Sequence, residues 1–289
     1  MNAAALTQDK LAAISDLIRL PKQYGTLLVL WPTLWSLFIA ADGRPSLELI
    51  VIFTLGAFIM RSAGCVVNDM ADRGFDGRVK RTMSRPLASG RLSVKEALIV
   101  FAGLISLAFV LVLFLNLLTI LLSFVAVGLA VLYPFVKRYS HWPQAVLGMA
   151  FGWGAIMAWT AVNGSLHIAA VLIFIANIAW SMAYDTIYAL MDIDDDRRIG
   201  VKSLALFFGS GVHTALRVLY ASSCALLALA GLAVDLGLVF YVGVLVAFVL
   251  FQIIVSRVRS GALSAMNGFL SNAVVGGWIL VAVIIDLNL

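Results

Sequence analysis

Val66-Val67-Asn68-Asp69-Met70-Ala71-Asp72-Arg73-Gly74-Phe75-Asp76 closes an apolar run that begins at Leu49. At about 1.5 Å of rise per residue, a helix over Leu49–Val67 reaches most of the way across the ~30 Å hydrocarbon core of a bilayer. Carboxylates beside lipid are expensive, so a row of them at the end of such a run points to function. With about 100° of rotation per residue, Asp69, Asp72 and Asp76 fall within roughly 60° of arc, with Asn68 near one edge. One segment thus combines a membrane span with a face of oxygen ligands.

The pattern occurs twice. A second apolar run, Ile168–Leu190, leads into Tyr184-Asp185-Thr186-Ile187-Tyr188-Ala189-Leu190-Met191-Asp192-Ile193-Asp194-Asp195-Asp196. Asp185, Asp192 and Asp196 share roughly 40° of a helical face. The two clusters hold eight of the fifteen acidic residues of the chain. An EF-hand reading of Asp192, Asp194 and Asp196 fails, because Arg197 stands where the loop needs Gly and Ser203 where it needs Glu. Hard oxygen ligands that leave room for water suit Mg²⁺, which takes one or two carboxylates and completes its shell with substrate phosphates. The plain alternative is solvated acids paired with nearby arginines, and Asp194 and Asp195 beside Arg197 and Arg198 fit that description.

The rest of the composition agrees with a membrane setting. The 289 residues are 63% hydrophobic and 12% charged, with a mean hydropathy of +1.04. Soluble domains average about 45–50% apolar and about 25% charged residues. Cys65 and Cys224 are too few for a disulfide framework or a zinc site, and His141, His167 and His213 have no ligand spacing. The fold class expected is an all-α integral membrane bundle in one domain, residues 1–289. Its nine spans are Tyr24–Ala41, Leu49–Val67, Val94–Leu115, Leu117–Val136, Gln144–Val162, Ile168–Leu190, Val212–Val234, Leu238–Ser256 and Met266–Ile285. Residues 1–22 contain no signal-peptide core, and Leu6, Leu11, Ile14, Leu17 and Ile18 make the apolar face of a short interfacial helix.

Charge sets the orientation. Of the twenty Lys and Arg residues, only Arg44 falls on the side opposite the others. The positive-inside rule then places the N-terminus and the segments 68–93 and 191–211 in the cytoplasm, and the C-terminus outside. Both acidic clusters end even-numbered spans, so they share one side and can face each other across a cavity. The pI of about 9.4 reflects this topology and anionic ligands; no soluble basic domain exists to bind nucleic acid. Lys80, Arg81, Arg85 and Arg91 surround Arg85-Pro86-Leu87-Ala88-Ser89-Gly90. Some of them suit a diphosphate, since guanidinium forks match phosphate oxygens in pairs.

At Asn68-Asp69-x-x-Asp72-x-x-x-Asp76 with Asp185-Thr186-x-Tyr188-Ala189-x-x-Asp192-x-x-Asp195-Asp196, the chain resembles the UbiA family of membrane aromatic prenyltransferases. Gly200-x-Lys202-Ser203 and Tyr133-Pro134-x-x-Lys137-Arg138 followed by Pro143-Gln144 resemble its 4-hydroxybenzoate polyprenyltransferase branch. The resemblance covers nearly the whole chain. It implies transfer of a polyprenyl group from polyprenyl diphosphate to C3 of 4-hydroxybenzoate, an early step of ubiquinone synthesis in the bacterial inner membrane, with membrane lipid around it and Mg²⁺ as cofactor. It implies Asn68, Asp72, Asp76, Asp192 and Asp196 as metal ligands, with Asp69 and Asp185 as ligands, supporting groups or base. Arg73, Lys80, Arg81 and Lys202 are the expected diphosphate contacts, Arg138 the carboxylate contact, and Tyr188 a ring that stabilises cationic character. A transporter is the competing reading, since charges at membrane depth often mark ion paths. The odd span count and one-sided acids argue against it. Another aromatic acceptor is the alternative within the enzyme reading.

Overall fold

A computed structural model describes residues 3–289, with side chains described from Gln8 onward. The chain forms α1 (Ala3–Leu17), α2 (Tyr24–Ala40), α3 (Leu47–Asp76), α4 (Val94–Val112), α5 (Leu117–Val136), α6 (Pro143–Asn163) and α7 (Ile168–Ala189). After these come α8 (Ile193–Ile199), α9 (Leu204–Phe208), a 3₁₀ turn at Gly209–Gly211, α10 (Val212–Leu232), α11 (Leu238–Arg259) and α12 (Ala265–Asp286). No strand occurs among the described residues. Eight helical stretches are long and apolar enough to cross a membrane. α2, the first expected span, is apolar but only 17 residues long. The protein is a multi-pass membrane protein.

Local chemistry sets the helix ends. The Ser46 hydroxyl accepts from Leu49 N at the start of α3. Ser93 and Glu96 form a capping box on α4, and Asn116 caps α5 across the short turn from α4. Pro143 opens α6, where its missing N–H costs nothing. Gly164 closes α6 at φ 66°, a conformation that only glycine adopts cheaply.

The membrane helices close into a ring in which neighbours pack in the order α2, α3, α4, α5, α6, α7, α10, α11, α12 and back to α2. Small residues let one side of this ring close tightly, as is usual where lipid removes the hydrophobic drive for association. A Cβ on Gly148 would meet Ile178 Cα at 2.8 Å, and one on Gly243 would meet Ala282 Cβ at 2.2 Å. Trp180 and Tyr220 both donate to Asn272 Oδ1, each at 2.9 Å, joining α7, α10 and α12 inside the main core. α4 and α5 lie opposite; α4 buries only Ala97 and Ala108, and α5 only Thr119 and Pro134.

Three sequence expectations change. Residues 68–76 are helix and not loop, since α3 runs 30 residues to Asp76. The segment 191–211 carries α8, α9 and the 3₁₀ turn. The interfacial helix exists, but its buried face packs on protein: Ala13 and Leu17 are sealed against Val66, Leu92 and Ala97, with Ile14 and Ile18 beside them, while Leu11 is exposed. The Leu6 side chain lies outside the described residues.

Candidate active site

Both acidic clusters stand at one end of the bundle, and basic side chains join them. Arg81, in the turns after α3, reaches Asp192 beyond α7: its Nε is 3.0 Å from Oδ1 and its Nη2 is 2.5 Å from Oδ2. Its Nη1 also donates to the Tyr188 hydroxyl at 2.5 Å. Arg85 Nη1 lies 2.9 Å from Asp76 Oδ2 and 3.2 Å from Asp69 Oδ1. Lys137, at the end of α5, bonds Asp72. Lys202 N donates to Lys137 O at 3.1 Å and Lys202 Nζ to Tyr139 O at 3.0 Å, pinning the segment after α8 to that lysine.

Of these groups Arg81, Arg85 and Tyr188 line a cavity of about 1230 Å³, larger than the roughly 300–1,000 Å³ of ordinary small-molecule pockets, and Asp76 and Asp192 reach it only through the arginines they hold. Arg19, Asn68, Arg81, Arg85, Asp185 and Tyr188 line its polar part. Farther in, the wall is apolar, with Phe53, Phe109, Phe124, Trp153 and Met157 from α3, α4, α5 and α6. Between the two parts stand aromatic rings centred on Phe269, which lies 4.9 Å from Tyr188 and 5.8 Å from both Tyr24 and Tyr184.

Arg61 enters the same wall from the middle of α3. Its Nη1 is buried and has no hydrogen-bond partner. Gly25 makes room for it, because a Cβ there would lie 2.7 Å from Arg61 Nε. A guanidinium held inside a membrane bundle with an unused donor is costly unless it serves an anionic ligand.

The donor set fits a hard divalent cation. Asn68, Asp72, Asp76, Asp192 and Asp196 offer only oxygen ligands of the kind Mg²⁺ accepts, and Asp72 Oδ1 is buried without a hydrogen-bond partner. Among the described residues no three potential ligands of His, Cys, Asp or Glu type already converge on one point. Asp72, Asp76 and Asp192 instead hold Lys137, Arg85 and Arg81 as counter-ions. Burial, with the Asp192 charge nearby, pushes the Asp196 carboxyl up to about 6, as expected for an acid that lacks its cationic partner.

The predicted residues divide. Asn68, Arg81, Asp185 and Tyr188 face the cavity. Asp69 is fully buried between Arg19 and Arg85. Arg73 and Arg138 line a separate shallow recess with Phe101 and Phe135; the Arg138 guanidinium donates to Ala71 O at 2.5 Å and lies 5.3 Å from the Phe135 ring. Lys80 is exposed and, like Arg73 and Lys202, makes no ion pair among the described residues. Asp194 and Asp195 also lack ion pairs there. Arg61 and Arg19 join the site without having been singled out, Arg85 had been named only as one of four basic residues suited to a diphosphate, and Lys137 only as part of a motif. Arg61 had a signal, a lone charge in the apolar run Phe58-Ile59-Met60-Arg61. Arg19 had none beyond its charge, and its partner and that of Lys137 lie 50 and 65 positions away in sequence.

Fold and site together define a multi-pass membrane protein whose large cavity joins a polar, charge-lined end to a long apolar interior, a form suited to an anionic amphiphile. The UbiA prenyltransferase family matches residues 29–283, and the chain belongs to that family. It is 50% identical over 276 residues to a 4-hydroxybenzoate octaprenyltransferase from Citrobacter koseri, covering 94% of each chain. A UbiA homologue from Aeropyrum pernix K1, solved in its apo form, superposes with a TM-score of 0.78 at 26% identity, covering 89% of this chain and 97% of that one. One from Archaeoglobus fulgidus, solved with GPP and Mg²⁺, has a TM-score of 0.74 at 18% identity over 96% and 100% of the two chains, a likeness of fold.

Proposed function

We propose that this enzyme transfers a polyprenyl group from polyprenyl diphosphate to C3 of 4-hydroxybenzoate and releases diphosphate, a step of ubiquinone synthesis. The reading is carried by a cavity of about 1230 Å³ with an apolar interior and a polar end lined by Arg19, Arg81 and Arg85, each paired to a carboxylate of the two acidic clusters. The name of the Citrobacter koseri relative supports the acceptor. The Archaeoglobus fulgidus complex supports the pairing of Mg²⁺ with an allylic diphosphate in this fold.

The donor's tail lies in the apolar interior, and its diphosphate lies at the mouth. Asn68, Asp72, Asp76, Asp192 and Asp196 would hold Mg²⁺, which would supply Lewis-acid stabilisation of the departing diphosphate. Those carboxylates then no longer need Arg81, Arg85 and Lys137, whose donors turn to diphosphate oxygens. The allylic C–O bond breaks with its electron pair leaving on diphosphate. The rings of Tyr24, Tyr184, Tyr188 and Phe269 face the cationic prenyl carbon, and the apolar wall keeps water from it. The ring carbon ortho to the phenol hydroxyl bonds to that carbon, and Asp185, a cavity-wall carboxylate without an ion-pair partner among the described residues, takes the ring proton. Arg61 takes the acceptor carboxylate in place of Arg138, because Arg61 lines the cavity and has a donor without a partner, whereas Arg138 lies at the separate recess. Arg73 and Arg138 act at the recess beside the loop, and Lys80 and Lys202 support the mouth electrostatically.

The excess of Lys and Arg at the mouth end favours a cytoplasmic N-terminus and active site, with the C-terminus outside. The bacterial relatives favour the inner membrane. Purified protein in lipid nanodiscs, given Mg²⁺, geranyl diphosphate and 4-hydroxybenzoate, should yield the 3-geranyl product. A naphthoate or other aromatic acid reacting while 4-hydroxybenzoate does not would overturn the acceptor assignment.

A further inference from the structure

Asp69 belongs to the first acidic motif, yet it is completely buried and not on the cavity wall. Two guanidiniums meet it there. Arg19 Nη2 donates to both of its oxygens, at 2.7 and 2.9 Å, and Arg85 Nη1 lies 3.2 Å from Oδ1. Arg19 sits just after α1, at φ 58°, in the left-handed region that non-glycine residues occupy only when the surroundings hold them there. Its Nη1 donates to Asp16 O at 2.8 Å, and Gln23 Nε2 donates to its carbonyl at 3.0 Å. The turn is therefore tied on both sides, with its guanidinium aimed at Asp69.

Arg85 has a second partner, Asp76, at 2.9 Å. Arg19, Arg85, Asp69 and Asp76 together carry no net charge. When Asp76 turns to a divalent cation, Arg85 keeps only Asp69, and Arg19 already satisfies both oxygens of that carboxylate. Arg85 then has donors to spare at the cavity it lines. Without Arg19, the buried Asp69 would need Arg85 as its sole counter-ion, since an unpaired buried carboxylate is strongly unfavourable. Arg85 would be drawn away from the cavity.

We infer that Arg19 is a positioning residue of the donor subsite: by saturating Asp69 it keeps Arg85 available to the donor's diphosphate, making the segment after α1 part of the active site. The inference rests on the reading of the mouth as a diphosphate site. Its test is calorimetric binding of the unreactive donor analogue geranyl S-thiolodiphosphate with Mg²⁺ to the full chain in nanodiscs. Arg19→Ala should raise Kd about tenfold, an interaction of ordinary size for contacting charges, and Arg19→Lys should restore it to within about threefold. In an Asp69→Asn background, where no buried charge needs a partner, Arg19→Ala should change Kd less than about twofold. The same tenfold loss in both backgrounds would mean that Arg19 touches the donor itself and would overturn the inference, as would no loss in the Asp69 protein. If Arg19→Ala does not fold, Arg19→Gln runs the same cycle with the charge alone removed. Wild-type protein that fails to bind the analogue overturns the diphosphate reading as well, whereas tight binding without the coupling defeats only the role of Arg19.

Discussion

α7 and α4 are both long and apolar enough to cross a membrane, yet 61% of the apolar stretch of α7 is buried and only 11% of that of α4. α7 lies among α6, α10 and α12 and carries Asp185 at its end; α4 stands with α5 at the loose side of the ring and walls the apolar cavity. The packed side holds Asp185 among tightly fitted backbones, while Asp192 and Asp196 follow it at α8, which buries no residue. The loose side leaves room for a long chain. α3 joins the two roles, with Gly56, Phe53 and Asn68 on the cavity and Asp72 and Asp76 buried in its last turns.

The sharpest way to break this picture is to remove one ligand from each side. Asp72→Ala and Asp192→Ala should each lower turnover by at least about 100-fold, more than the loss of an outer-shell partner of a metal ligand, with thermal unfolding nearly unchanged. Near-normal activity in either variant would show that the clusters do not work as one site. Next comes the acceptor. Arg61→Ala should raise the KM for 4-hydroxybenzoate by about 30-fold or more, because truncating one partner of a buried charge pair costs about 2–5 kcal/mol. The KM for the donor should hold, and Arg138→Ala should move the acceptor KM less than about threefold. The reverse pattern would return the carboxylate to Arg138.

Two glycines test the packing contrast. A Cβ on Gly276 would meet Trp31 at 2.3 Å and Trp180 at 2.8 Å, whereas one on Gly56 meets nothing within 4 Å. Gly276→Val should lower the thermal midpoint by several degrees, since overpacking costs about 1–3 kcal/mol. Gly56→Val should leave the midpoint in place and reduce use of long donors relative to geranyl diphosphate. Equal melting behaviour would mean that the closely fitted side does not carry the stability. The smallest effect belongs to Phe109 and Phe124, whose rings lie 6.2 Å apart between α4 and α5. Phe124→Ala should cost less than about 1.5 kcal/mol while shifting the product profile among donors of different length. A large loss of stability would show that α4 and α5 are packed as firmly as the rest.

Much of this was legible in the sequence. Apolar runs of spanning length show because lipid leaves the backbone few alternatives to helix, and Asp69, Asp72 and Asp76 show a common face because a helix turns by a fixed angle. What was not legible is which cation meets which acid. Arg73 and Arg138 sit beside the motifs in sequence but at a separate recess in space, while Arg81 reaches a carboxylate 111 positions away. Arg61 carried a signal in its apolar surroundings, but charge counting absorbed it as a topology residue.

The sequence by itself therefore determined an α-helical membrane bundle and two carboxylate-bearing faces at one end of it, of a chemistry suited to a hard cation. These follow from local rules: helix pitch, the cost of charge in lipid, and the hardness of carboxylate oxygen. Only the tertiary structure decided that α4 and α5 stand apart to make the cavity, that Asp69 is sealed between Arg19 and Arg85, and that Arg61 points inward with a donor to spare. Those outcomes depend on contacts between residues distant in the chain, where burial sets the worth of a charge and no local pattern records its partner.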